Sequence, residues 1–398
     1  MKRTAQIFFA TCFCLFLLGV GVLTALLPKE TGSFYENRSL AALPEATAEN
    51  ILSGDFFTDL ETYLTDHVPL RSYLLKFTTL ARLEVLHQSV VSDVIDGDEV
   101  LLGFHGYSQW DTGYLLPSAQ EAAKAILPWQ EAAASYGGQV YYLGVPEQYS
   151  YFQDRYPDYM ENRAWLYPPT EEAMEAALGE ANIPFLSLYS AYRSEGCPED
   201  YYFATDHHYT IYGALRAAQV LLEAVNEGEG WDLYVPRAED LTFTELPNPF
   251  LGSRNRKLYA LRYLDDRLTT AVYTDPIPFT RSDNGSPSPA SLLVLPETED
   301  EVITYSVFMG GDIGETVLST NREDLPTALL IGESYTNALE TLLYASFDEL
   351  HTIDPRSFEG ESGGADVIGD ITGYIEALQP DVVIVMRDNS AYLKAVGG

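Results

Sequence analysis

Cysteine and positive charge are both scarce in this chain. Three cysteines serve 398 residues: Cys12 and Cys14 lie in one apolar run, and Cys197 stands alone. That leaves no intradomain disulfide for the polar part and no cysteine-type zinc site. Lysine and arginine total 23 against 59 aspartates and glutamates, a formal charge of −36 at pH 7. Such a surface repels nucleic acid and other polyanions, so nucleic-acid binding is excluded as a function class. Phosphate-binding glycine loops are missing as well, since Gly310-Gly311 stands outside either nucleotide-binding spacing. No internal repeat is evident.

What is present is apolar and aromatic. The chain is 46% hydrophobic and 13% aromatic, enough for a large buried core and too much for global disorder. Lys2 and Arg3 are the only charges in the first 28 residues, and residues 7–27 are nearly all apolar. At about 1.5 Å per residue such a helix crosses a bilayer core of about 30 Å. The basic flank predicts a single-pass protein in the cell membrane, N-terminus inside and body outside the cytoplasm. Secretion after signal cleavage is the alternative.

The remaining chain reads in two parts. Residues 29–97 form a polar linker followed by a helical membrane-proximal segment. In that segment Phe56, Leu60, Leu64, Leu70, Leu74 and Phe77 recur at helical spacing, with a break at Pro69. From residue 98 to 398 short apolar runs alternate with helical patterns. Strands are expected at Gln139–Val145, Pro184–Tyr189, Thr327–Gly332, Glu349–Ile353 and Asp381–Met386. Helices are expected at 118–136, at 170–180 with Thr170 as N-cap, and at 211–223, 335–344 and 365–378. This is an α/β pattern, a parallel sheet covered on both faces. Residues of about 227–326 break the rhythm and read as a β-rich insertion, with strands at 271–273, 292–295 and 302–308.

Two short segments could carry chemistry. Ser334, in Gly332-Glu333-Ser334-Tyr335, follows an apolar strand and precedes a helix. A serine there sits at the ligand-binding edge of an open α/β sheet, beside amides that favour a forming anion. It could equally be a helix cap. Asp206-His207-His208-Tyr209 offers imidazole bases and a carboxylate to orient one. In an extended segment Asp206 and His208 share a face and His207 turns away. Asp206 could also cap the following helix. No metal is expected, because adjacent histidines diverge and no cysteine or H-x-x-x-H pattern accompanies them. His67, in Asp66-His67-Val68-Pro69-Leu70-Arg71, reads as structural, and His87, His105 and His351 have no recognisable partners.

Taken in order, these pieces resemble the bacterial DHHW family, named for an Asp-His-His-Trp motif that stands here as Asp206-His207-His208-Tyr209. The resemblance runs from Glu36-Asn37-Arg38 through Asp66–Arg71, Gly144-Val145-Pro146 and Phe308–Asp312. It continues through Gly332–Asn337 and Asp354-Pro355-Arg356 to Pro380–Val383. It implies a relative of the SGNH-hydrolase-like proteins of alginate O-acetylation type, with a flavodoxin-like three-layer domain. It further implies a triad in which Ser334 attacks an acyl carbonyl, His208 moves the proton and Asp206 orients His208. The Ser334 amide would hold the oxyanion together with Gly310, Gly311 or the Asn337 side chain. No cofactor is implied. The expected activity is O-acetyltransferase or acetylesterase action on an exported polysaccharide, with a multispanning membrane acyltransferase as acetyl donor. A non-catalytic glycan-binding or scaffold protein of cell-envelope biogenesis is the alternative. Three positions depart from the family pattern: Tyr209 for tryptophan, Glu333 for aspartate, and Asp312 for asparagine.

Overall fold

A computed structural model describes residues 2–97, 99–104 and 112–394. Two compact units emerge, residues 1–92 with 255–263, and residues 93–254 with 264–398. The boundary expected at residue 98 falls on a residue outside the described set.

The first unit begins with helix α1 (Lys2–Leu26). Its stretch Thr4–Leu26 is long and apolar enough to cross a membrane, with a mean hydropathy of 2.4 and only 6% buried. Helices α2 (Asp55–Asp66) and α3 (Arg71–Glu84) flank the turn that Pro69 enforces. Two of the segments that carry the resemblance meet here. Arg38 reaches both oxygens of Asp66 at 2.8 and 2.5 Å, the Ala41 amide donates to the same carboxylate at 2.9 Å, and Arg71 pairs with Glu36. The Arg38 guanidinium holds the Asp66 carboxyl well below the usual carboxylate range, although burial opposes this. His67 Nε2 lies 3.0 Å from the Ala41 carbonyl. Glu36-Asn37-Arg38 and Asp66–Arg71 are therefore two halves of one clamp.

The second unit opens with a hairpin of β1 (Val94–Asp96) and β2 (Leu101–Gly103). Next come α4 (Leu115–Ala134, with Pro128 inside) and β3 (Gln139–Val145). They are followed by α5 (Tyr167–Glu180), β4 (Phe185–Ser187), α6 (Leu188–Ser194) and α7 (Ile211–Glu229). Pro168 and Pro169 open α5 one turn early, so Thr170 is an interior residue whose hydroxyl donates to the Leu166 carbonyl rather than a cap. Then come β5 (Leu241–Glu245), β6 (Thr269–Tyr273), β7 (Thr280–Asp283), β8 (Ser286–Ser288) and β9 (Glu315–Ser319). The chain continues through β10 (Ala328–Gly332), α8 (Thr336–Leu343), β11 (Glu349–Ile353), α9 (Val367–Leu378) and β12 (Val382–Asp388).

The main sheet has eight strands in the order β8-β7-β9-β11-β10-β12-β3-β4. The five from β11 to β4 are parallel and the three before them antiparallel. Alternation along each parallel strand feeds two cores. Leu143, Leu330, Leu350 and Ile384 pack under α7 and α8. Val140, Leu329, Ile331, Val383 and Val385 pack under α4, α5 and α9. The result is a three-layer α/β domain. The expected insertion is only partly separate. Strands β5 and β6 pair with each other, whereas β7 and β8 extend the main sheet through a Gly285 turn at φ 71°. Residues 292–295 and 302–308 form no strand; they hold isolated bridges, Leu293 with Phe308 and Ile303 with Phe250, and a short 3-10 turn.

Candidate functional site

The order in which strands are added reverses around β10. After β10 the chain moves outward to β11, and β12 then returns to lie on the other side of β10. Such a switch point opens a crevice at the C-terminal strand ends, and Ser334 lies there. Gly332 is required at the strand end, because a Cβ would stand 2.9 Å from the Met386 carbonyl oxygen. The helix that follows has Tyr335 as its cap residue, without a side-chain capping bond. Ser334 is thus free of the capping role, and its Oγ lies 2.7 Å from His208 Nε2.

Asp206 is not a cap either. Thr210 caps α7, its Oγ1 accepting from the amides of Tyr212 and Gly213 at 3.2 and 3.4 Å. The Asp206 carboxylate instead accepts from His208 Nδ1 at 2.6 Å and the His208 amide at 3.0 Å, both on Oδ1. Its Oδ2 accepts from the Ser253 amide at 2.6 Å. Gly252 makes that last contact possible, since a Cβ there would sit 2.3 Å from the Thr205 carbonyl oxygen. Burial alone would raise the Asp206 carboxyl. The two histidines and the Ser253 amide outweigh burial and hold it well below the usual range. A carboxylate of that kind only accepts, so His208 carries its hydrogen on Nδ1. The Nε2 lone pair then faces Ser334 Oγ.

The His208 ring is fixed on two sides, stacked on Tyr305 (3.9 Å between centroids, 5° between planes) and edge-on to Tyr335 at 5.0 Å. Tyr335 also joins the two segments. Its hydroxyl donates to the His207 carbonyl at 2.5 Å, and its own carbonyl accepts from the Tyr209 hydroxyl. Tyr209, fully buried, thus ties its motif to the serine loop.

His207 departs from the expectation of a side chain turned away. Residues 204–208 follow bends rather than a strand, and the His207 ring lies 3.7 Å from that of His208. Its Nδ1 is 2.7 Å from Ser253 Oγ. Asp206, His207 and His208 offer ligand atoms within 4.8 Å of one another. Those of Asp206 and His208 face each other in a hydrogen bond, and His207 Nδ1 is engaged by Ser253, so this is a hydrogen-bonded cluster rather than an open ligand set.

The charge of Asp312 and Glu333 is offset in part, since with Asp354 three carboxylates share two guanidiniums. Arg356 Nη2 donates to Asp312 at 2.8 Å and its guanidinium to Asp354 at 2.6 to 3.2 Å. Glu333 lies between Arg356 and Arg387, at 3.6 and 3.9 Å. Asn337 Nδ2 donates to Asp312 at 3.1 Å and keeps a second hydrogen. Gly310 and Gly311 continue a left-handed run from Met309, with φ of 58°, 88° and 97° along the three residues. The Gly311 amide donates to the Phe308 carbonyl at 3.1 Å. Among the described residues, the Gly310 and Ser334 amides have no backbone acceptor.

Ser253, Tyr305 and Tyr335 were not singled out by the sequence. No local pattern marks the first two, which lie far along the chain from both motifs. Of the other histidines, His351 bonds Tyr374 and Glu349 and His67 belongs to the clamp, while His105 lies outside the described residues. Tyr149 packs with Tyr167 and Tyr189 as core.

Residues 111–253 match the family model described as ALGX, SGNH hydrolase-like domain, acetyltransferase AlgX. The fold of the second unit is SGNH-hydrolase-like. The matched stretch contains Asp206–Tyr209 and Ser253 and ends before Ser334. Two structures of PatB1 from Bacillus cereus, one with a sulfonyl adduct, share 18% identity and superpose with TM-scores of 0.63 and 0.62. They cover 77% and 76% of this chain and 98% and 97% of PatB1. A DHHW family protein from Eubacterium siraeum shares 19% identity with a TM-score of 0.56, covering 76% of this chain and 91% of its own. At such identities the likeness is one of fold. No curated protein matches the chain.

Proposed function

We propose that the SGNH-hydrolase-like domain is an acyl-transfer enzyme outside the cytoplasm, an O-acetyltransferase or acetylesterase acting on an exported polysaccharide. The observation that carries this reading is the 2.7 Å contact between His208 Nε2 and Ser334 Oγ, with His208 Nδ1 held by Asp206 at 2.6 Å. Ser334 Oγ attacks the acyl carbonyl while its proton passes to His208 Nε2. That proton leaves with the ester oxygen, and the acyl group stays on Ser334. His208 then deprotonates the acceptor, a sugar hydroxyl for the transferase or water for the esterase; the acceptor oxygen bonds the acyl carbon, the bond to Ser334 Oγ breaks, and His208 returns the proton to Oγ. The Gly310 and Ser334 amides, with the second Asn337 hydrogen, are the donors we assign to the oxyanion.

The alternative of a non-catalytic glycan binder rests on Glu333 and Asp312. Their pairing with Arg356 and Arg387 offsets much of the negative charge that would disfavour catalysis. In the proposed setting α1 anchors the protein, and a multispanning membrane acyltransferase supplies acetyl groups on the outer side.

The test is release of p-nitrophenol from its acetate by the full chain in detergent, beside Ser334→Ala and His208→Ala. Loss in both variants, with a fluorophosphonate adduct on Ser334 of the parent, is the expected result. Equal rates in all three would refute the enzyme and leave glycan binding as the reading to pursue.

A further inference from the structure

Helix α3 carries an apolar stripe that the described residues leave uncovered. Leu70, Tyr73, Leu74 and Phe77 are 70, 74, 54 and 69% exposed. Their spacing of three and four places them along one side of the helix, while Thr79 and Leu83 on the other side are buried. A monomeric soluble surface rarely leaves such a stripe open without use. The charge pattern departs from that of the whole chain. Residues 68–83 hold Arg71, Lys76 and Arg82 and no acid, in a chain where acids outnumber bases 59 to 23. Arg71 bonds Glu36 and Arg82 bonds Gln88. Lys76 flanks the stripe and pairs with no acid among the described residues. The position of the helix supplies the third observation. Leu27 and Pro28, the first residues past α1, line one cavity with Val68, Leu70 and Tyr73. The start of α3 therefore lies beside the point where the apolar helix ends.

We propose that α3 is an interfacial helix that docks on the lipid bilayer, its Leu70–Phe77 stripe at the acyl boundary and Lys76 among the lipid phosphates. An amphipathic helix with aromatic and leucine residues on one face and lysine beside them has the composition that lies in a membrane surface. Anionic lipid suits it, since residues 68–83 hold no acid and Lys76 is without an acidic partner among the described residues. This inference rests on α1 crossing the membrane. Span and interfacial helix together would give the first unit two attachments and fix its rotation about α1.

The test uses the full chain in nanodiscs of phosphatidylcholine and phosphatidylglycerol containing a spin-labelled lipid. Single-cysteine variants carry an environment-sensitive fluorophore at Phe77→Cys, at Tyr73→Cys, at the native Cys14 within α1, or at Glu299→Cys in the second unit. The remaining native cysteines are replaced. Loss of fluorescence at positions 14, 73 and 77, with none at 299, is the expected result. Quenching at 14 with positions 73 and 77 behaving like 299 would overturn the docking and leave the span intact. No quenching at 14 would refute the span, and the docking with it. Shielding of 77 from aqueous iodide without quenching by lipid would mean that protein covers the stripe, which also overturns the proposal.

Discussion

Replacing Asp206 by Asn keeps the shape of the site and changes one property, the number of acceptors. The carboxylate takes three hydrogen bonds, from His208 Nδ1, the His208 amide and the Ser253 amide. An amide side chain has one oxygen. If that oxygen stays with the Ser253 amide, the new NH2 faces His208 Nδ1 and can only donate to it. His208 must then carry its hydrogen on Nε2, where it meets Ser334 Oγ as a donor and cannot take the serine proton. The same exchange in serine triads lowers turnover by about 10⁴, or about 5 kcal/mol of transition-state stabilisation. If the oxygen instead keeps His208, the half-buried Ser253 amide faces a donor and stability falls by about 1 kcal/mol. The assay is p-nitrophenyl acetate turnover, with the thermal midpoint followed in parallel. The expected outcome is a rate near that of Ser334→Ala in a protein that still folds, and no further loss in the double variant, because the residues act as a unit. An Asp206→Asn protein that is folded and within tenfold of the parent would refute the tautomer argument.

Arg356→Met removes the cation shared by Asp312, Asp354 and Glu333. With one net negative charge more beside the oxyanion, the rate should fall by roughly tenfold, about 1–2 kcal/mol at an effective dielectric near 20. Adding Asp312→Asn should restore much of the loss, which steady-state turnover of the pair would show. Buried Glu340, on α8, has its carboxyl pushed by burial up to about 8. The folded state therefore binds a proton that the unfolded chain releases near pH 4.5, and stability should decline as pH rises from about 4.5 to about 8. Glu340→Gln should flatten that decline, measurable as urea midpoints across the range, whereas an unchanged slope would rule Glu340 out as its source.

The parallel strands were legible because each is a short apolar run bounded by turn residues. Strand β3 at Gln139–Val145 has the ends the sequence suggests. The motif segments were legible too, as Asp206, His208 and Ser334 carry distinctive residue types. Strands β7 to β9 were not, because Thr280–Asp283 and Glu315–Ser319 are polar and join the sheet through pairing with one another and with β11. Residues 292–295 and 302–308 have strand composition yet pair only through single bridges, and remain irregular. Within the site, Ser253 was hidden because it contributes chiefly through a backbone amide, which every residue except proline possesses. Tyr305 was hidden because stacking on His208 depends on a fold that brings together positions far apart in sequence.

Strand β12 is the last of the described strands to leave the ribosome, yet it fills the gap between β3 and β10 in the middle of the sheet. Until it arrives, β10 lacks one of its two neighbours, and the loop bearing Ser334 has no settled position relative to Asp206 and His208. Pairings over such sequence separation form late, because loop closure opposes them. A nascent chain would carry its serine and its base on opposite shores of an unclosed sheet. Under the function proposed above, acyl-transfer chemistry would therefore arrive only with completion of the sheet.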